Sequence, residues 1–334
     1  MYVAGFRDAI PPAYSKSETW DGVIQMAEAA QTVVATMGEV RTGLLRNSVA
    51  ISPATASALL GFVVGEKVRT FERPIPQAIS PERLTGVDCH LTGSSGARIR
   101  AIGTVASRAI ITGGHLALGS AYVRVAQGAA GRRLPWSHYL ASPGTVETVG
   151  KTTPVSIGDG FLSAHSATDV LDLAAIADRA LETVQSDGQL DQNPPFRTRR
   201  TRLRWLTTSS GYPEGSISFR LEPDLVRTVR LPDRDLDPAA LATLCEDLAL
   251  HDWLLTTLLS LIGRTPIGSG NRKAVIDRVQ PALDYLLHLW MPGARIDAAL
   301  IDLWDAMERR PGLTRQWQAT VGRIRDQLAL AAVM

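Results

Sequence analysis

The segment LCEDLALHDWLL, residues 244–255, places Cys245, Glu246, Asp247, His251 and Asp252 inside a run that otherwise reads as buried helix. At about 100° per residue, Asp247 and His251 lie four apart on one flank and can touch. VQPALDYLLHLWMPG repeats the spacing with Asp284 and His288. If the two helices pack antiparallel, Asp247, His251, Asp284 and His288 supply two imidazoles and two carboxylates, a donor set that suits a divalent metal. The plainer reading has each carboxylate orienting its own histidine and the pairs fixing helix register, because the H-E-x-x-H pattern of metal-binding helices is absent. Asp252 shares the apolar stripe of Leu241, Leu244, Cys245, Leu248, Leu255 and Leu259. A carboxylate there needs a partner, and an arginine from a neighbouring helix is expected. Glu246 is expected to point elsewhere.

RTRRTRLRW, residues 197–205, is the strongest charge feature. On a strand Arg200, Arg202 and Arg204 share one face, while Thr201, Leu203 and Trp205 share the other. Such a stripe suits the phosphates of a nucleic acid or nucleotide, or an acidic partner. The alternative is a sheet face whose arginines pair with nearby carboxylates such as Glu222 or Asp224.

Other arrangements fall short of a motif. GTVETVGKT, residues 144–152, has five residues between its glycines where a phosphate-binding loop has four, and Glu147 would face the phosphates. It reads as a strand ending in a turn. Ser163, His165 and Asp169 are neighbours in sequence, but a catalytic triad is a spatial arrangement. Asp88, Cys89 and His90 pair a thiol with a base, or mark a small buried cysteine at the end of a strand. No catalytic residue and no cofactor is expected from these signals.

The elements that must position these groups follow from periodicity and punctuation. A weakly ordered lead and one helix, SETWDGVIQMAEAAQTVVATM, occupy the start. Short β-branched runs follow: GEVRTGLL, EKVRTFERPI, ARIRAIGTV, SRAIITGG and AYVRVAQ. Between the first two, SPATASALLGF carries a helix start at Ser52–Pro53 and a stop at Gly61. A helix over about 167–186 leads to a proline-containing linker, and residues 197–231 read as a hairpin. From Asp237 onward the pattern is helical, with stops at Gly263, MPG and RRPG and four of the seven tryptophans.

The expectation is an α+β protein: a strand-rich N-terminal domain with a mainly antiparallel sheet, then a C-terminal helical bundle. The boundaries read as an extension with one helix over 1–36, a strand-rich domain over 37–165, a joining helix, linker and hairpin over 166–235, and a bundle over 236–334. The 334 residues, 45% of them hydrophobic, suffice for a substantial core. A net charge of +2 does not mark a nucleic-acid or membrane binder overall. Two cysteines exclude a disulfide framework. Asp8 and the early prolines interrupt any signal-peptide core, no apolar run is long enough to span a membrane, and a cytoplasmic protein is expected.

Taken together, LTGVDC, PWSHYLASPGTVE, LCEDLALHDWLLTTLL, HLWMPGARID and ERRPGLTRQW resemble an uncharacterised family of actinobacterial cytoplasmic proteins, over about Gly38 to Leu330. The resemblance implies members encoded beside a variant P-loop ATPase-like protein, and so a component of a multi-protein system. It carries no active site onto this chain. The leading expectation is a non-enzymatic scaffold or adaptor that binds protein partners, among them that ATPase-like protein. A metal-dependent or other hydrolase built on the helical Asp/His pairs, and a nucleic-acid or polyanion binder using the arginine stripe, are the rivals.

Overall fold

A computed structural model describes residues 32–334 except 129, 151, 164–168, 209–217, 222–225, 233–235, 264–271, 310–311 and 334. The strands are β1 (Thr32–Leu44), β2 (Arg69–Phe71), β3 (Gln77–Ile79), β4 (Arg83–Thr92), β5 (Arg98–Thr112), β6 (Leu116–Gln127), β7 (Thr145–Thr148), β8 (Thr201–Thr208), β9 (Ser218–Leu221) and β10 (Val226–Leu231). The helices are α1 (Pro53–Leu59), α2 (Trp136–Leu140), α3 (Pro154–Ser163), α4 (Leu173–Gln185), α5 (Pro238–Gly263), α6 (Arg272–Tyr285), α7 (Ile301–Arg309) and α8 (Leu313–Val333).

All ten strands join one sheet in the order β2-β3-β5-β7-β6-β1-β8-β10-β9, with β4 also on β5. The sheet is mixed rather than mainly antiparallel: β7 runs parallel to β6, and β10 parallel to β8. The expected hairpin over 197–231 does not form, because β10 inserts between β8 and β9. A parallel β8–β10 pair needs a longer connection than a tight turn can give. Strands from both the expected N-terminal and joining regions therefore build the same sheet.

Residues 1–31, the expected lead and most of the expected helix, lie outside the described residues. Thr32–Met37, read as its end, instead begin β1. Thr32, Val33 and Val34 are β-branched and stiff, and β1 pairs with β6 on one side and β8 on the other. Gly38 lies opposite Trp205 on β8, and a Cβ added there would come within 2.5 Å of the indole. Glycine at this position lets the large ring lie across its neighbour.

The two-residue period of the strands separates two cores. Val40 and Leu44 of β1, Leu118 and Tyr122 of β6, and Leu203 and Trp205 of β8 pack with α5 and the helices beyond it. Met37, Val123, Val125 and Leu206 turn to the opposite face, beside α3 and α4. There α4 approaches so closely that a Cβ at Gly119 would meet the Ala177 carbonyl at 2.1 Å. The result is a sheet covered on both faces, with the C-terminal helices forming one outer layer.

Local signals set several helix ends as expected. Ser52 Oγ accepts from Thr55 N at 3.1 Å and Pro53 opens α1. Asp237 accepts from Ala240 N at 3.2 Å ahead of Pro238 at the start of α5, which ends at Gly263. α7 stops at Arg309, the first residue of RRPG. No helix among the described residues is long and apolar enough to cross a membrane.

Candidate functional site

α5 is packed between the sheet and the other C-terminal helices, so its polar residues meet partners distant in sequence. Glu246 does not point away. It receives two bonds from the Arg108 guanidinium of β5, Nε to Oε1 at 2.8 Å and Nη2 to Oε2 at 2.7 Å. Arg108 Nη2 also reaches Thr243 Oγ1 at 2.8 Å, its Nη1 lies 3.5 Å from Glu82, and Tyr122 donates its hydroxyl to Glu82. Burial works against the Arg108 charge, but Glu246 more than offsets it and holds the guanidinium protonated. Burial and the hydrogen bond to Glu82 hold the Tyr122 phenol well above its usual range.

Asp252 does take an arginine, but from a strand rather than a helix. Arg227 Nε of β10 stands 2.8 Å from its carboxylate, and Arg227 Nη2 donates to Thr256 Oγ1 at 2.9 Å. Burial raises the Asp252 pKa, and the Arg227 charge pulls against it. Cys245 is sealed in the core, where burial keeps the thiol protonated and unreactive.

Asp247 and His251 share a flank as the spacing predicts. His251 Nδ1 lies 2.7 Å from the Asp247 carbonyl oxygen and 3.5 Å from its carboxylate. Gly293 N donates to that carboxylate at 2.9 Å. The imidazole is buried edge-on to Trp290 and Trp304, and Trp290 stacks on Trp317 at 4.2 Å. Both Asp247 and His251 line a cavity of about 40 Å³ between α5, the sheet and the 291–296 turn, room for a few water molecules.

The second Asp/His pair is not brought to the first. Helix α6 ends at Tyr285, so Asp284 and His288 do not sit on successive turns of one α-helix. Asp284 is exposed and accepts from Gln280 at 2.7 Å, while His288 is exposed near His115. Among the described residues no three His, Cys, Asp or Glu side chains are placed to hold a metal ion. The expected metal set of Asp247, His251, Asp284 and His288 fails for this reason.

The arginine stripe is also partitioned by packing. Glu39 of β1 is opposite Arg204, and Arg41 is opposite Arg202. The buried Glu39 carboxylate accepts from Arg202 Nε at 2.6 Å, Arg202 Nη2 at 2.7 Å and Arg204 Nε at 2.8 Å. Arg204 Nη1 also caps the end of α3 through the carbonyls of Phe161 and Leu162. Arg204 is thus buried and Arg202 only part-exposed, and both are engaged by Glu39. Arg200, one residue before β8, is bound at 2.5 Å to Glu182 of α4. The proposed partners Glu222 and Asp224 lie outside the described residues.

The remaining candidates resolve simply. Residues 145–148 are β7, with Glu147 buried and 2.6 Å from His138 Nε2, so the stretch is no phosphate loop. Lys151 and His165 lie outside the described residues. Cys89 is half-buried in β4, where burial, then the neighbouring Asp88 charge, pushes the thiol up to about 11.

RLTGVDCHLT lies outside the strand runs expected from β-branched content, although Cys89 is a candidate for the end of a strand; it is β4, paired with β5 over an unbroken register from Arg83↔Ser107 to Thr92↔Arg98. Its other edge pairs with no strand among the described residues: His90 donates to Asp169 O at 2.9 Å and accepts from Leu171 N at 2.8 Å, and the Thr92 carbonyl lies against Gly160 of α3. The alternation of an antiparallel ladder turns the N–H and C=O of Leu84, Gly86 and Asp88 toward that same edge. Leu84 is 48% exposed, and Trp136 of α2 lies over Gly86, where an added Cβ would be 3.5 Å from the indole. Leu140, one turn further along α2, is 60% exposed. Arg133 stacks on Trp136 and bonds Asp88 at 3.2 Å, which holds α2 against the strand.

The chain matches no protein-family model, no curated protein and no solved structure.

Proposed function

We propose that the chain is a non-enzymatic scaffold or adaptor subunit that docks a protein partner on the β4 edge. The observation that carries this reading is the coincidence there of outward backbone groups at Leu84, Gly86 and Asp88 with exposed Leu84, Trp136 and Leu140. A partner strand adding to the edge takes affinity from main-chain hydrogen bonds and specificity from side-chain pockets. Exposed strand edges otherwise invite unwanted pairing. The family resemblance supplies the first partner to try, the P-loop ATPase-like protein encoded beside such chains.

Binding of the full chain to that purified protein, read by isothermal titration, tests the proposal. Leu84→Lys and Trp136→Ala are each expected to weaken the complex at least tenfold, with unchanged unfolding curves. Wild-type affinity in both variants removes the β4 edge as the docking site.

A further inference from the structure

With Arg202 and Arg204 engaged by Glu39, the cationic character of the 197–204 segment survives only at its start. Arg197, Arg199 and Arg200 line a cleft of about 470 Å³, whose far wall is formed by Thr256, Thr257 and Ser260 from the last turns of α5. That volume falls in the range of small-molecule sites, roughly 300–1,000 Å³.

The cleft is held in shape from both walls. Trp253 Nε1 of α5 donates to the Arg199 carbonyl at 3.0 Å, and the hydroxyls of Thr198 and Thr257 are 3.2 Å apart. Because Thr256 Oγ1 accepts from Arg227, its own proton remains to be donated. Arg197 and Arg199 are exposed, and among the described residues neither makes an ion pair.

The charge of the cleft exceeds what packing requires. Among the described residues three guanidiniums line it and no carboxylate does. Glu182 offsets Arg200, and the C-terminus of α5 contributes about half a negative charge. Roughly one and a half positive charges remain, comparable to the ~1.5–2 negative charges of a phosphate monoester near neutral pH. Guanidinium forks and hydroxyl donors are the groups that recognise phosphate oxygens. A nucleic-acid backbone needs a continuing cationic track, and β8 offers none beyond Arg200.

We propose that this cleft binds the phosphate group of a small phosphorylated molecule, through Arg197 and Arg199 with Arg200 and the α5 hydroxyls. The site is separate from the β4 edge, and neither proposal depends on the other.

The test is calorimetric titration of the full chain at constant ionic strength with phenyl phosphate, inorganic phosphate, phenol and a single-stranded oligonucleotide. Phenyl phosphate is expected to bind saturably and phenol not at all. The double variant Arg197→Gln/Arg199→Gln should weaken phenyl phosphate at least tenfold, and Ser260→Asp, on the other wall, should do the same by like-charge repulsion. Both sites are exposed, and unfolding curves matching wild type confirm that the variants fold. Arg83→Gln, outside the cleft, should leave binding unchanged. Absence of saturable binding, or equal affinity in both cleft variants, overturns the proposal. Binding of inorganic phosphate without phenyl phosphate overturns it in favour of a free-anion site. An oligonucleotide that binds more tightly, with steep salt dependence, overturns it in favour of nucleic acid.

Discussion

β5 separates two regions that treat polar groups in opposite ways. Toward α5, Arg108 is buried to within 1% and meets Glu246, Thr243 and Glu82. Toward β4 and the open edge beyond it, Leu84, Trp136 and Leu140 are left in water although they are apolar. Burying an ionised pair between α5 and the sheet costs desolvation that only close, multiple bonds offset, so those groups are committed to structure. Along β4, the outward backbone groups of Leu84, Gly86 and Asp88 have no backbone partner among the described residues, and Leu84 is exposed beside them. In this fold the residues that look most like chemistry are the ones least free to perform it.

The strongest way to break that contrast is to remove one buried partner. Glu246→Ala strands the Arg108 charge and is expected to cost about 3–5 kcal/mol, as is Glu39→Ala beneath Arg202 and Arg204. Urea unfolding measures both. The double variant Arg108→Met/Glu246→Leu should recover most of the loss, since an apolar pair of similar volume avoids the stranded charge. A loss below about 1 kcal/mol for Glu246→Ala would mean the pair is wetter than its burial implies.

Asp247 offers an intermediate effect with a defined pH dependence. Burial raises its pKa, against the pull of His251, the Gly293 N–H and Arg295. The fold therefore favours the protonated carboxyl. The stability Asp247 contributes is complete below the unfolded carboxyl range, near pH ~4, and is lost as pH rises through the raised folded value. Asp247→Asn keeps an acceptor for Gly293 N without the titration. Its unfolding midpoint relative to wild type should climb as pH increases from about 4 toward neutrality. A constant offset across that range would show that the carboxyl titrates alike in both states.

At the β4 edge the expected effect on stability is smallest. Leu84→Lys should change unfolding free energy by no more than about 0.5 kcal/mol, as for most exposed positions, while removing partner binding. A large destabilisation would place Leu84 inside a contact of the fold and close the gap between the two regions.

The sequence alone determined what is local. The Ser52–Pro53 and Asp237–Pro238 starts, the Gly263 stop and the burial of Asp252 and Cys245 all follow from caps, breakers and a 3.6-residue period, which act within a turn or two of the chain. The two-residue period likewise divided Leu203 and Trp205 from Arg202 and Arg204. Tertiary structure decided the partners. Glu246 joins Arg108 across 138 residues, and Glu39 joins Arg202 across 163. No local pattern encodes which strand will lie beneath a helix. RLTGVDCHLT became a strand because β5 paired with it over ten residues, against its Gly, Asp and His content. Strand order decided that the arginines of β8 would face a carboxylate while those just before it would line a cleft. Periodicity says which residues share a face, and only packing says what that face meets.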